Sequence, residues 1–506
     1  MNTSNIFHKY RKWFGLVWLI IELNLLGGNI LGFSALFDIL PKYGIYSNLC
    51  VHATFGNTSN AQNRTISENC DRQTGKYQLA LTIGIWFYNL MPFFLGHVIN
   101  YFGCRFLKLV SIVFHIVGWL TLAFVEPGRD YLVFIHTVFI SVSSIVILIT
   151  SFVYCGYFAR YRGLVSSIIA GASISSTMWF SIFQVLINGG RTNLRTLSII
   201  WTVFVVLMIG SALLFMDWRF QLLNLSYGFV TNSETDKQSR KSIEIDNAAN
   251  MINMPWYRRI VNRVGVWQHL LNPIYIFVVL YLSVLLLPAV FLPVTWFPWI
   301  MYVTNGNENL SNRYTLIFNL STVVALIICP CSGTLLDFRA HRNHKQRLFN
   351  IALMQTITWC TSMAVCIVRM CNTTCCIIAV IVLNCIERSL IVGGSQAVVA
   401  SFFPSEYIGT LTGVLWTSAA IFSSIQYGLL PLVEAVDKSW RAWTIILALI
   451  IVMASHWIQM WYLFFTSKST AVSNQVSISL EKSEAHGHAE HHAYVNGIKE
   501  ENPNRD

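Results

Sequence analysis

Long apolar runs separated by short polar breaks dominate the chain, and a charged interruption between Asp217 and Leu271 divides them into two sets. Each set holds six runs of about 20 residues, the length at which a helix crosses the hydrocarbon core of a bilayer. The predicted spans are 13–40, 77–99, 106–125, 131–153, 163–187, 197–216, 272–297, 314–336, 348–368, 375–400, 410–433 and 442–465. This pattern predicts an all-α integral membrane protein of twelve transmembrane helices. Residues 1–216 should form one six-helix bundle, 217–271 a cytoplasmic loop, 272–466 a second six-helix bundle and 467–506 a disordered cytoplasmic tail.

Composition excludes a water-soluble globule. Charged residues make up 11% of the 506 and hydrophobic ones 55%, against roughly 25% charged in an average soluble domain. The formal net charge of +11 does not imply nucleic acid, because the basic residues are scattered through short loops instead of forming one stripe. Topology accounts for them better. With the amino terminus in the cytoplasm, roughly 22 Lys and Arg fall on that side and about 11 outside, as the positive-inside bias requires. Both termini are then cytoplasmic, in a multi-pass protein expected at the plasma membrane. The first run is too long for a signal core and lacks a small-residue cleavage pattern, so it should remain as a span.

The first outer loop carries the glycosylation triplets that begin at Asn57 and Asn63, flanked by Cys50 and Cys70, which an oxidising compartment would allow to pair. Further triplets start at Asn309 and Asn372. Cys371, Cys375 and Cys376 cluster near the outer end of another span, without the extra ligands a zinc site needs. Arg258, Arg259 and Arg263 in the central loop are read as topology-setting charges, and His486, His488, His491 and His492 as part of a solvated tail. No cofactor or metal site is expected.

Ionisable residues inside spans are costly and face a cavity or a partner. Glu22 precedes Gly27, Gly28 and Gly32 in the first span, where glycines let a helix bend or expose backbone groups. Glu387 and Arg388 lie midway along the tenth, ahead of Ser395 and Gln396. Pairing of Glu22 with Arg388 is the structural alternative to solute binding, and Glu387 reads as structural. Asn89, Gln184 and Gln426 are polar groups within spans that could bond a solute or a neighbouring helix. His97 and His115 are weaker candidates for proton relay. The small residues from Ser166 to Thr177 read as close helix packing, and Trp296, Phe297 and Trp299 as interface anchors.

Corresponding loops of the two halves carry related sequences. The first has Gly96, Asn100, Gly103 and Arg105; the second has Gly333, Asp337 and Arg339. Glycine permits close approach and sharp turns, and the charged groups can bond a neighbouring helix end in one conformational state. These loops resemble the signature of the major facilitator superfamily, with Asn100 in the place of the acid.

The stretch from Glu387 to Ala397 and the run Phe403-Pro404-Ser405-Glu406 through Gly413 resemble solute carrier family 43, a branch of that superfamily holding nucleobase and large neutral amino acid carriers. The resemblance implies the major facilitator fold and alternating access to a central site. It implies a carrier of a small neutral organic solute, purine nucleobases ahead of large neutral amino acids, and the scarcity of intramembrane acid beyond Glu22 and Glu387 points to facilitated uniport without a coupling ion. Glu22, Asn89, Arg388, Ser395 and Gln396 are the expected binding residues. Ile174 and Asn100 depart from the family pattern. Catalytic clusters and channel filters are missing, so an enzyme or a channel is not expected. A non-transporting receptor or scaffold is the reading from another class.

Overall fold

A computed structural model describes residues 3–50, 71–158, 161–216, 266–340, 344–403, 407–433 and 438–466. All the regular structure among these residues is helical, and twelve helices are long and apolar enough to cross a membrane. These spans are α1 (Tyr10–Asp38), α2 (Gly75–Gly96), α3 (Phe102–Ala123), α4 (Leu132–Tyr157), α5 (Arg162–Asn188), α6 (Leu194–Leu214), α7 (Pro273–Val303), α8 (Asn309–Asp337), α9 (Lys345–Arg369), α10 (Thr374–Phe402), α11 (Ile408–Leu429) and α12 (Trp440–Thr466). Each coincides with one of the runs read from the sequence. Asn57, Asn63 and Cys70, the central loop to residue 265 and the tail from 467 lie outside the described residues. Cys50 is disulfide-bonded.

Local chemistry sets the breaks between spans. Asn193, Asn272 and Asn307 precede α6, α7 and α8, and each accepts a hydrogen bond from a first-turn amide, at 2.8, 3.0 and 3.1 Å. An asparagine side chain here satisfies one of the amides a helix start leaves without a partner. Gly103, at φ 83°, breaks the helix at the start of α3, a conformation that glycine adopts without steric cost.

Span α1 is not one continuous α-helix. It is α-helical to Leu26, bends at Gly27 and Gly28, and continues as a 3-10 helix over Asn29–Asp38. In lipid the carbonyls released by such a break need partners, and neighbouring side chains supply them. Trp179 donates to Asn24 O at 2.7 Å, Trp201 to Leu25 O at 3.1 Å, Ser144 to Leu26 O at 2.8 Å and Ser173 to Gly27 O at 3.0 Å. The predicted bend is therefore present, and its carbonyls are occupied from α4, α5 and α6.

The first six spans pack on one another, as do the last six, and the halves meet where α5 lies against α8 and α10 and where α2 and α4 lie against α11. Glycines control these crossings. A Cβ on Gly96 would sit 2.8 Å from Thr410 Cα, and one on Gly333 would sit 2.8 Å from both Gly163 O and Leu164 Cα. Backbones that close require Gly at the contact. Both crossings lie at the end of the molecule where α1 begins and α12 finishes, so the halves are closed together on that face.

Candidate transport site

Two groups of residues stand out at the interface of the halves: a close contact on the face that carries the chain ends, and midway through it a cation with no carboxylate partner among the described residues.

At this contact, Asp337 ends α8 and reaches across to the start of α5. Its Oδ2 accepts a hydrogen bond from Leu164 N at 2.7 Å, and Ser401 donates to its Oδ1 at 3.4 Å. A carboxylate at a helix N-terminus satisfies an orphan amide and complements the helix dipole. Arg105 does the converse within the first half. Its Nε donates to Ala212 O at 2.9 Å and to Met216 O at 3.0 Å, and Nη2 donates to Leu213 O at 3.2 Å, capping the end of α6. Arg339 departs from expectation: it is exposed, holds a positive φ of 50° and lies over the ring of Phe338 at 5.2 Å. Among the described residues, no hydrogen bond joins Arg339 to a helix end. Asn100 lies in the helix that ends α2, and its side chain is outside the described residues.

Midway along α10, Arg388 is half-buried, and among the described residues no carboxylate pairs with it. It lies within electrostatic reach of Tyr88 on α2, and the Tyr88 hydroxyl lies against Ser173 of α5. Tyr88 and Ser173 are 4% and 5% exposed. One cation from the second half thus faces a phenol and a serine from the first. An uncompensated guanidinium at this depth is costly unless it meets a polar partner, and a solute oxygen or ring nitrogen would provide one.

Glu22 is not that partner. Lys108 of α3 sits 2.8 Å from its Oε1, and both side chains are completely buried. The alternative pairing with Arg388 does not occur, because the carboxylate is neutralised inside the first half. Glu387 is also fully buried and faces Ser362 and Cys366 of α9, away from Tyr88.

The remaining expected residues are dispersed. Gln396 Oε1 accepts from Thr412 of α11 at 3.2 Å, and its buried Nε2 has no partner among the described residues. Ser395 lies about 10 Å along α10 from Arg388 at 1.5 Å per residue and is buried. Asn89 donates to Ile85 O of its own helix at 3.0 Å and lines a different cleft, between α2, α7 and α11, together with Gln426. That cleft is flanked by exposed apolar side chains of Trp86 and Ile421, and it holds no charged group, so Arg388 marks the better centre. Gln184 bonds Asp38 at 3.1 Å, and His115 bonds Trp201 O at 2.9 Å. Neither faces the interface.

Sequence reasoning missed Tyr88 and Ser173, whose roles follow from which helix faces meet. It also placed Trp296 and Trp299 at the membrane interface, whereas they are 2% and 0% exposed. Trp299 instead stacks under Arg369, 4.1 Å from its centroid, where a cation–π contact offsets burial of the guanidinium. Phe297 is exposed as expected.

No family model matches the chain. Among curated proteins, the equilibrative nucleobase transporter 1 of Bos taurus is 22% identical over 441 residues, covering 83% of this chain and 89% of that protein. The human large neutral amino acids transporter small subunit 3 is 21% identical over 498 residues, covering 82% and 87%. Among solved structures, a double tryptophan variant of XylE matches with a TM-score of 0.58 at 11% identity, over 93% of this chain and 98% of that one. The human organic anion transporter MFSD10 (TETRAN) matches with a TM-score of 0.54 at 12% identity, over 88% and 99%.

The chain is a membrane transporter of the major facilitator type. Its twelve spans adopt that fold, and its similarity to solute carrier family 43, first carried by the residues after Glu387, extends over most of its length. The relatives are transporters by name, and none is named as an enzyme.

Proposed function

We propose that this carrier moves purine nucleobases by facilitated diffusion, binding them between Arg388, Tyr88 and Ser173 and exposing them alternately to either side of the plasma membrane. The observation that supports this most is the neutralisation of Glu22 by Lys108 at 2.8 Å. A zwitterionic amino acid needs an acceptor for its ammonium as well as a cation for its carboxylate. With Glu22 occupied and the carbonyls of residues 24–27 already bonded by Trp179, Trp201, Ser144 and Ser173, the interface supplies a cation and hydroxyls but, among the described residues, no free anion. A planar neutral base asks only for an aromatic face, a hydroxyl and a donor to its ring nitrogen or carbonyl.

The name of the bovine relative points the same way, and that of the human relative keeps large neutral amino acids as the second reading. The excess of Lys and Arg on the termini face makes that face cytoplasmic. Uptake of labelled adenine and leucine into cells expressing the full chain separates the readings. Saturable adenine uptake, insensitive to sodium and weakly dependent on pH, is expected, with leucine at background. Leucine uptake without adenine uptake would establish the second reading, and background uptake of both at normal surface expression would leave a receptor or scaffold.

A further inference from the structure

One helical turn from Arg388 on α10, Asn384 carries a buried amide oxygen that the fold leaves unsatisfied. Packing fixes the orientation of this part of α10. The Cys385 thiol donates to Ser321 O of α8 at 3.1 Å, and the Cys329 thiol of α8 donates to Ser389 O at 3.4 Å, so the face bearing Cys385 and Ser389 lies on α8. Asn384 and Arg388 are four residues apart, which puts their Cβ atoms about 5–6 Å from each other along the neighbouring face. Helical side chains lean toward the helix N-terminus, so the long side chain at 388 extends over the turn that holds Asn384.

Asn384 is 2% exposed, and its Oδ1 has no hydrogen-bond partner among the described residues. Buried amide oxygens in native proteins are mostly bonded, because an unmade bond carries the full desolvation penalty of the group. Arg388, a guanidinium rich in donors and without a carboxylate partner among the described residues, does not bond this oxygen either. An unfilled acceptor therefore stands beside an uncompensated donor, about 15 and 21 Å along α10 from Thr374 at 1.5 Å per residue.

We propose that Asn384 selects the solute: its Oδ1 accepts a hydrogen bond from the exocyclic amine of an aminopurine while Arg388 donates to the adjacent ring nitrogen. This rests on the nucleobase proposal above and narrows it to bases that place an N–H donor beside an acceptor. Of adenine's N–H groups only the exocyclic amine projects beyond the rings, so it can span the turn between the two side chains, and accepting ring nitrogens lie on both sides of it. Unsubstituted purine keeps those acceptors and lacks the amine. It would satisfy Arg388 and leave Asn384 unpaired, and a site built to bond a group rejects the analogue without it.

Competition against labelled adenine uptake, in cells expressing the full chain, tests this with unlabelled adenine and unsubstituted purine as competitors. The wild-type protein should favour adenine over purine by roughly tenfold. Asn384→Leu should bring that ratio close to one by weakening adenine and leaving purine nearly unchanged, whereas a loss of packing would weaken both alike. Asn384→Ser, which keeps an oxygen on a shorter side chain, should give an intermediate ratio. Saturable adenine uptake with a wild-type ratio near one, or with a ratio unchanged by either substitution, would overturn the role of Asn384 and leave the nucleobase proposal standing. Background adenine uptake by the wild-type protein would overturn both.

Discussion

Arg388 concentrates the functional case in one side chain. Its charge is half-buried and has no carboxylate partner among the described residues, so its hydrogen-bonding capacity is available to a solute. Replacing it with alanine should lower uptake roughly ten- to hundredfold at unchanged surface expression, from the ~1.5–3 kcal/mol of a hydrogen bond to a charged group. Lysine, which keeps the charge without the planar fork, should recover only part. Uptake rates normalised to surface protein measure both. Glu22 and Lys108 differ in kind, because each neutralises the other out of solvent. Removing one partner of a buried pair costs ~3–5 kcal/mol, whereas replacing both with apolar groups is often tolerated. Thermal denaturation of the purified protein should therefore show a large loss for Lys108→Met alone and recovery when Glu22→Leu is added. An equal loss in the double variant would point to a role beyond charge balance.

At the scale of elements, the proposed gate consists of helix ends meeting across glycines. Asp337 caps α5 from α8, and Gly96 lets α2 touch α11. Losing such a cap costs ~0.5–2 kcal/mol, so Asp337→Ala should shift the population toward the state open on the termini face by roughly 2- to 30-fold. Ser167 is fully buried beneath this crossing. A cysteine introduced there should be labelled faster from the termini face in the Asp337→Ala background, and unchanged labelling would remove Asp337 from the gate. Gly96→Leu should act in the same direction, because its side chain would collide with the backbone at Thr410.

For the whole molecule, much of the architecture was legible because a bilayer imposes length and apolarity on every span. The tenth run was read as 375–400 and the helix is Thr374–Phe402; the first was read as 13–40 and the span is Tyr10–Asp38. The glycines after Glu22 signalled the bend in α1, and the small residues of α5 signalled its close contact with α8. What the sequence did not convey was long-range pairing. Nothing local connects Glu22 with a lysine on another span, or tells which face of α2 turns Tyr88 toward Arg388 and which turns Asn89 toward a separate cleft. Those choices are made by tertiary packing.

The proposed alternating access without an energy source makes one quantitative demand: flux should run to equality and stop. Labelled adenine uptake into liposomes that contain the purified protein and no ion gradient measures this directly. Internal adenine should rise to the external concentration, faster than in protein-free liposomes, and stay there when a sodium or proton gradient is imposed. Entry no faster than into protein-free liposomes, or accumulation above the external concentration under either gradient, would contradict it.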